Sequence, residues 1–164
     1  MKIALGAIFR DEFEYILEWY AWHRMAGFDN FVIVDNGSND GTTQLLEAMH
    51  DLGLINLMYQ TIVKKNAQLL AYDRILQKLI GNTDAITFID ADEFIVHESF
   101  IDGAERNHLE NLLKSENVGA VCINWRTFGS SGEINYIDKP VTERFYMHET
   151  DHGSDKNNFL KAVT

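Results

Sequence analysis

Residues 85–94 read AITFIDADEF, an apolar run that closes on Asp90, Asp92 and Glu93. The apolar part predicts a buried strand, and the three acids stand together at its tip. Like charges this close repel one another, and each carboxylate loses hydration where the fold covers it. We therefore expect a positive group at this tip.

The size and composition of the chain are those of one globular domain. Its 164 residues are enough to bury a core, and 46% of them are hydrophobic and 12% aromatic. We therefore expect a single domain spanning residues 1–164. The formal net charge of −11 argues against nucleic acid or an anionic membrane surface as the main partner.

The sequence gives no sign of a membrane span or a secretory leader. No apolar run approaches the ~20 residues that a spanning helix needs, and the apolar start is too short for a leader. Cys122, the single cysteine, lies in the apolar run VGAVCINW. That context predicts a buried, reduced thiol and a cytoplasmic protein.

Strand-like and helix-like runs alternate along the chain. The strand-like runs lie at residues 2–9, 31–35, 55–60, within 85–94 and at 118–125. A longer helix is expected from about Asn66 to Ile80. The apolar stripes expected on the four helices are Phe13, Ile16, Leu17 and Tyr20; Leu45, Leu46 and Met49; Leu69, Tyr72, Leu76 and Leu79; and Leu109, Leu112 and Leu113.

This alternation predicts an α/β fold with a mostly parallel central sheet flanked by helices. Ligands of such sheets gather at the carboxyl ends of the strands. Three strands finish in polar residues, at 9–12, 35–38 and 90–92. We therefore expect a site where these three tips meet.

Asp90 and Asp92 form a D-x-D pair. In an extended chain they face the same side, ~6–7 Å apart. Hard carboxylate oxygens in that arrangement suit Mg²⁺ or Mn²⁺. The alternative interpretation is an ordinary solvated strand end.

The stretch VDNGSNDGT, residues 34–42, combines a strand tip with turn residues. Asp35 ends the strand and is the candidate for hydrogen bonds to a ribose or base. Asn39 or Asp40 can cap the helix that begins near Thr42, and we expect Asp40 and Thr42 to be structural.

Three further polar residues are candidates for ligand contacts. Arg10 follows the first strand and suits phosphate oxygens, although pairing with Asp11 explains it equally well. Gln68 and Asp73 lie on the helix expected at about 66–80, where each is either a ligand contact or a solvated helix residue.

The loop NWRTFGSSGE, residues 124–133, mixes aromatic residues with glycines. Trp125 and Phe128 could stack on sugar rings, and the glycines allow close backbone approach. A core tryptophan followed by a flexible loop is the alternative.

Six motifs taken in order resemble GT-A glycosyltransferases of the family-2-like and family-92-like kind. The resemblance extends from Lys2 to about Phe145. The motifs are FRDE (9–12), FVIVDNGSNDGT (31–42), QLLAYDR (68–74), FIDADEF (88–94), NWRTFGSSG (124–132) and VTERF (141–145).

The resemblance implies a metal-dependent enzyme that moves a sugar from a UDP-sugar to a glycan or other hydroxyl acceptor, with inversion. It implies Mn²⁺ or Mg²⁺ bound directly by Asp92, with Asp90 turned toward the ribose or a metal-bound water. Asn36 stands where many family-2 members carry a second acid, which favours the family-92-like kind.

Carried over by position, the resemblance also implies two groups of binding residues. The nucleotide-sugar side comprises Arg10, Glu12, Asp35, Asn36, Gln68, Asp73 and Asp90. The acceptor side comprises Trp125, Phe128, Gly129, Ser130, Ser131 and Gly132.

The catalytic base is not assigned by these motifs. Glu143, Glu149 and Asp151 are candidates, and because relatives continue further, we expect a chain truncated at its C-terminus. A non-catalytic nucleotide-sugar-binding module is an alternative function. A haloacid-dehalogenase-type phosphatase also uses D-x-D after an apolar strand, but it expects Thr or Val where Phe94 stands.

Overall fold

The computed structural model describes residues 1–61, 65–96, 108–115, 117–148 and 160–164. The elements are β1 (Ile3–Phe9), α1 (Ile16–Met25), β2 (Asn30–Asp35), α2 (Thr42–Asp51), β3 (Asn56–Tyr59), α3 (Ala67–Leu79), β4 (Ala85–Phe88), α4 (His108–Leu113), β5 (Val121–Asn124), α5 (Val141–Arg144) and β6 (Leu160–Val163). None of the helices in these ranges is long and apolar enough to cross a membrane.

The central sheet has four parallel strands in the order β3-β2-β1-β4. Successive residues of β1 face opposite sides, so one set packs with α1 and α2 and the other with α3. The predicted α/β class with a mostly parallel sheet flanked by helices is confirmed. Because Phe9 is in register with Asp35, the tips of β1 and β2 lie side by side.

The fifth predicted strand forms, but it lies outside the four-stranded parallel sheet and pairs with an antiparallel neighbour. β5 pairs antiparallel with β6, and Thr164, just after β6, exchanges two backbone hydrogen bonds with Ile86 of β4, at 2.7 and 3.0 Å. Burial alternates along β5, and Cys122 falls on its exposed side. The prediction of a buried thiol is therefore wrong, because an apolar run does not reveal which of its faces is covered.

The first helix is shorter than its apolar pattern predicts. Ile16, Trp19 and His23 are buried on α1, whereas Leu17 is 58% exposed and Phe13 precedes the helix. The predicted stripe is therefore wrong except at Ile16 and the partly buried Tyr20, which packs on the core. The fold buries Trp19 and His23 because their polar nitrogens find backbone partners.

The stripe predicted for α3 is correct at Leu79 and at the partly buried Tyr72 but wrong at Leu69 and Leu76. Ala71, Ile75 and Leu79 face the sheet at helical spacing, while Leu69 is 71% exposed and Leu76 is 41% exposed. Ala71 is small, so a pattern of large apolar residues does not reveal that it is buried. It nevertheless lets α3 pack closely against the sheet.

Gly6, in β1, makes room for an aromatic stack that connects the sheet with α3. A Cβ at Gly6 would lie 2.6 Å from Phe88 Cε1. The Phe88 ring in turn stacks on Tyr72, with centroids 4.0 Å apart and planes 21° apart. The absent side chain of Gly6 therefore sets where Phe88 and Tyr72 lie, next to the tip of β4.

We predict that Gly6→Ala lowers the free energy of unfolding by about 1–3 kcal/mol, because the added Cβ displaces the Phe88 ring from its present position on Tyr72. Urea denaturation measures this change. Gly6→Ala combined with Phe88→Leu should recover part of the loss. Gly119→Ala is the control, since a Cβ there meets nothing within 4 Å. Equal stability of Gly6→Ala and the wild type would contradict the close approach.

Candidate functional site

A cleft of about 400 Å³ opens at the carboxyl edge of the parallel sheet. Its wall combines the loops after β1 and β4 with the N-terminal turn of α3 and both ends of α5. The lining residues are Ile8, Glu12, Tyr15, Gln68, Asp90, Ala91, Asp92, Val141 and Phe145. Four of the residues singled out in the sequence, Glu12, Gln68, Asp90 and Asp92, therefore meet in one cavity.

The D-x-D pair lies on a tight turn. Glu93 N–H donates to the Asp90 carbonyl at 3.1 Å, and Asp90 N–H donates to Glu93 Oε2 at 3.0 Å. The Trp19 indole N–H also donates to the Asp90 carbonyl, at 3.0 Å. The extended-chain geometry expected for Asp90 and Asp92 is therefore wrong, and Glu93 is the carboxylate that closes the turn.

The two aspartates of this turn have different surroundings. Asp90 Oδ1 accepts a hydrogen bond from Gln68 Nε2 at 3.0 Å and lies 3.4 Å from the Tyr72 hydroxyl. Burial, ahead of the charge of Asp90, raises the pKa of Tyr72, so its hydroxyl stays protonated. Asp92 is exposed, and no described residue forms a hydrogen bond or ion pair with its carboxylate. Of the two aspartates, Asp92 is thus the one whose carboxylate is open to a ligand.

Glu12 adds a further acid to the cleft. Burial, followed by the negative charges of Asp92, Asp40, Asp11 and Asp90, raises the pKa of Glu12. The cleft therefore holds more negative charge than its own side chains neutralise. A cation entering it would lower this repulsion.

The turn-rich segment after β2 holds the loop after β1 in place. Glu12 N–H donates to Thr42 Oγ1 at 2.9 Å, and Phe13 N–H donates to Asp40 Oδ2 at 3.0 Å. Asn39 N–H donates to Asp11 Oδ1 at 2.7 Å. Asp40 and Thr42 are structural, as predicted, and they orient the loop that carries Glu12.

The N-terminus of α2 differs from its prediction. Gly41 occupies the cap position, with φ of 105°, where Asn39 or Asp40 is expected. Asp40 instead accepts a hydrogen bond from Thr42 N–H through Oδ1, at 3.0 Å. The left-handed backbone at this position explains why the chain uses glycine there.

Asp35 is buried and organises its own loop. Oδ1 accepts hydrogen bonds from Ser38 N–H and Oγ, at 3.1 and 2.7 Å, and Oδ2 accepts one from Thr43 Oγ1 at 2.5 Å. Asn36 is also buried, and its N–H donates to the Phe9 carbonyl at 2.8 Å. Asn36 thereby joins the tips of β1 and β2, whereas the Asp35 side chain ties its loop to α2.

Two other candidates make contacts away from the cleft wall. Arg10 is exposed, with Nε 3.8 Å from Asp11 Oδ2, the pairing that the sequence offers as an alternative. Asp73 Oδ2 accepts a hydrogen bond from Gln77 Nε2 at 2.8 Å, one turn farther along α3.

The predicted acceptor loop packs largely on residues 146–148. Phe128 lies with its ring 5.4 Å from that of His148, and Gly129 N–H donates to the Met147 carbonyl at 2.9 Å. Ser131 Oγ accepts from the N–H groups of residues 146 and 147. Ser130 accepts a backbone hydrogen bond from Glu133, and Gly132 has φ of 87°.

Trp125 approaches the acidic turn through Lys161, whose Nζ lies 5.6 Å from the Trp125 ring centroid. Lys161 Nζ also lies 3.0 Å from Glu93 Oε2. This is the positive group that the acidic tip leads us to expect. The sequence pattern misses its identity, because Lys161 is far along the chain from Glu93.

Glu18 of α1 holds in place the segment around α5 that forms another part of the cleft wall. Its carboxylate accepts hydrogen bonds from Val141 N–H at 2.6 Å, Thr142 N–H at 3.0 Å and Thr142 Oγ1 at 2.7 Å. Val141 and Phe145 thereby reach the cleft. No local sequence signal connects positions so far apart. Of the candidate bases, Glu143 is exposed on α5, and Glu149 and Asp151 lie outside the described residues.

His23 anchors the segment that follows the acidic turn. Its Nδ1 lies 2.8 Å from the Trp19 carbonyl, and Ile95 N–H donates to Nε2 at 3.3 Å. The ring is therefore neutral, with Nδ1 as donor and Nε2 as acceptor. Burial lowers the pKa of His23 from 6.5 to about 4.

Comparison with curated proteins finds a relative that covers most of this chain. A glycosyltransferase family 92 protein of Oryza sativa subsp. japonica is 24% identical over 141 residues, or 86% of this chain. This chain resembles family 92 glycosyltransferases. It spans 24% of the length of that relative. No family model matches the chain.

Some solved structures are similar to part of this chain. S. aureus TarS 1-349 in complex with UDP-GlcNAc has a TM-score of 0.45 and 20% identity, over 63% of this chain and 30% of that one. GalNAc-T7 with UDP, GalNAc and Mn²⁺ has a TM-score of 0.37 and 15% identity, over 56% of this chain and 18% of that one.

We predict that His23 makes this domain sensitive to mild acid. The unfolded chain takes up a proton on His23 below about pH 6.5, whereas the folded chain resists until about pH 4. Stability is therefore lost as the pH falls through this window. Between about pH 7.5 and about pH 5, the wild type should lose about 2 kcal/mol more than His23→Gln.

Urea denaturation at the two pH values measures this difference. His50→Gln, which changes an exposed histidine on α2, is the control and should keep the wild-type loss. Equal pH dependence of His23→Gln and the wild type would show that His23 is not held neutral by the fold.

Proposed function

We propose that this chain is a metal-dependent glycosyltransferase domain that binds a UDP-sugar in the cleft and transfers the sugar to a hydroxyl acceptor with inversion. The observation that carries the proposal is the meeting of Glu12, Asp90 and Asp92 in one cavity at the carboxyl edge of a parallel sheet. The name of the family 92 relative, a glycosyltransferase, supports the same class.

The acids of the cleft fit Mn²⁺ or Mg²⁺ when phosphate oxygens complete the site. Among the described residues no group of three or more acids, histidines or cysteines could hold a metal without help. Magnesium sites often use one or two carboxylates together with substrate phosphates. Asp92 would hold the ion directly, with Asp90 beside it. When bound, the ion would neutralise charge on the departing diphosphate.

The residues around the ion would position the donor. Gln68 fixes Asp90 Oδ1, and Tyr15 and Phe145 give the cleft apolar walls. A carboxylate offers about four lone-pair positions, so Asp35 keeps about one for uridine after its bonds to Ser38 and Thr43. Arg10, in the loop after β1, and Asn36, in the loop after β2, would border the nucleotide.

The acceptor would approach from the side of residues 125–132, with Trp125 nearest to the acidic turn. An inverting transfer needs a carboxylate that accepts the proton of the acceptor hydroxyl. Of the three candidate bases Glu143 lies within the described residues, but Val141 and Phe145 share the face of this segment that lines the cleft and Glu143, two residues from each, does not. No base is therefore assigned.

We predict that UDP binds with Mn²⁺ present and much more weakly without it. Asp92→Asn should weaken binding of UDP with Mn²⁺ by about tenfold or more, because it removes the open carboxylate of the cleft. Isothermal titration calorimetry measures both. Asp51→Asn, which changes an exposed acid at the end of α2, should bind like the wild type.

Equal UDP affinity with and without Mn²⁺ would contradict the metal role, and no UDP binding would contradict the class. Turnover then separates the remaining alternatives. Slow UDP-sugar hydrolysis or transfer excludes a non-catalytic binding module, and release of phosphate from an aryl phosphate ester would instead indicate a phosphatase.

A further inference from the structure

Lys161 is the cation that the fold places against the acidic turn. Its Nζ lies 3.0 Å from Glu93 Oε2 and 3.7 Å from Asp90 Oδ2, and its side chain is 24% exposed. Glu93 Oε2 also accepts the hydrogen bond from Asp90 N–H that closes the turn. One carboxylate oxygen therefore joins the lysine to the backbone of the D-x-D pair.

Strand pairing explains how a distant lysine reaches this turn. Thr164 pairs with Ile86 of β4 in the antiparallel sense, so earlier residues of β6 run toward the carboxyl end of β4. Three residues before Thr164, this direction brings Lys161 to the strand tip. On its other side Lys161 pairs with Ile123 of β5, and Trp125 follows two residues later on the same face.

We propose that Lys161 is a positioning residue of the donor site, an inference that rests on the proposed function. Its ammonium neutralises Glu93 and part of the charge of Asp90. Asp92 and Glu12 remain as the carboxylates without such a partner among the described residues. Lys161 thereby holds the turn and sets how much negative charge the cleft presents to the metal and the diphosphate.

A role of Lys161 through its charge and a role in supporting the fold predict different effects when Lys161 is replaced. Without its positive charge the cleft is more negative, so free Mn²⁺ binds more tightly while anionic UDP binds more weakly to the manganese-loaded protein. A lysine that only supports the fold would, on removal, weaken both. The two affinities must therefore move in opposite directions if the proposal is correct.

The test compares Lys161→Met and Lys161→Arg with the wild type by isothermal titration calorimetry, using Mn²⁺ alone and then UDP at saturating Mn²⁺. We expect Lys161→Met to change each affinity by about fivefold, up for Mn²⁺ and down for UDP, and Lys161→Arg to resemble the wild type. Lys114→Met, which removes a cation paired with Glu110 on α4, is the matched control and should change neither affinity.

Unchanged affinities in Lys161→Met, or losses of both, would overturn the role of Lys161 while leaving the proposed function standing. A wild-type protein that binds neither Mn²⁺ nor UDP would instead overturn the proposed function, and this inference with it. If Lys161→Arg changed the two affinities as much as Lys161→Met does, a role based on charge would also be contradicted.

Discussion

Repulsion between carboxylates at the carboxyl edge of the parallel sheet is the constraint to which the rest of the site responds. Parallel pairing brings the tips of β1, β2 and β4 to one edge, and each tip carries acids. The fold offsets part of this charge through Lys161 and fixes the acidic turn through Trp19. Glu12, whose pKa is raised, and Asp92 keep the remainder. That remaining negative charge would favour a cation in the cleft.

The polar residues at these tips divide into two groups with different tasks. Asp40 and Thr42 hold the loop after β1, and Asp35 folds its own turn. Asp92 and Glu12 face the open cavity. Within the motif at 88–94, Glu93 is structural because it closes the turn, while its neighbour Asp92 faces the cavity. Because several of these polar residues hold loops in place, only some of them are available to the cleft.

The sequence was informative where its signals are local. Alternating strand-like and helix-like runs predict the parallel sheet, and polar strand ends predict the edge at which Glu12 and Asp90 meet. Predictions from the sequence were wrong where burial depends on tertiary contacts. Trp19 is buried because its indole N–H reaches a carbonyl on another element. Lys161 approaches the turn through the pairing of β6, whose direction and register no local pattern specifies.

The most direct test of this account is the anomalous scattering of manganese in crystals grown with Mn²⁺ and UDP. We expect a single strong peak in the cleft, against the Asp92 carboxylate and the phosphates, with Lys161 still paired to Glu93. A cleft without manganese signal, with Asp92 turned toward bulk solvent and UDP bound elsewhere, would contradict the claim that this acidic edge is a donor site.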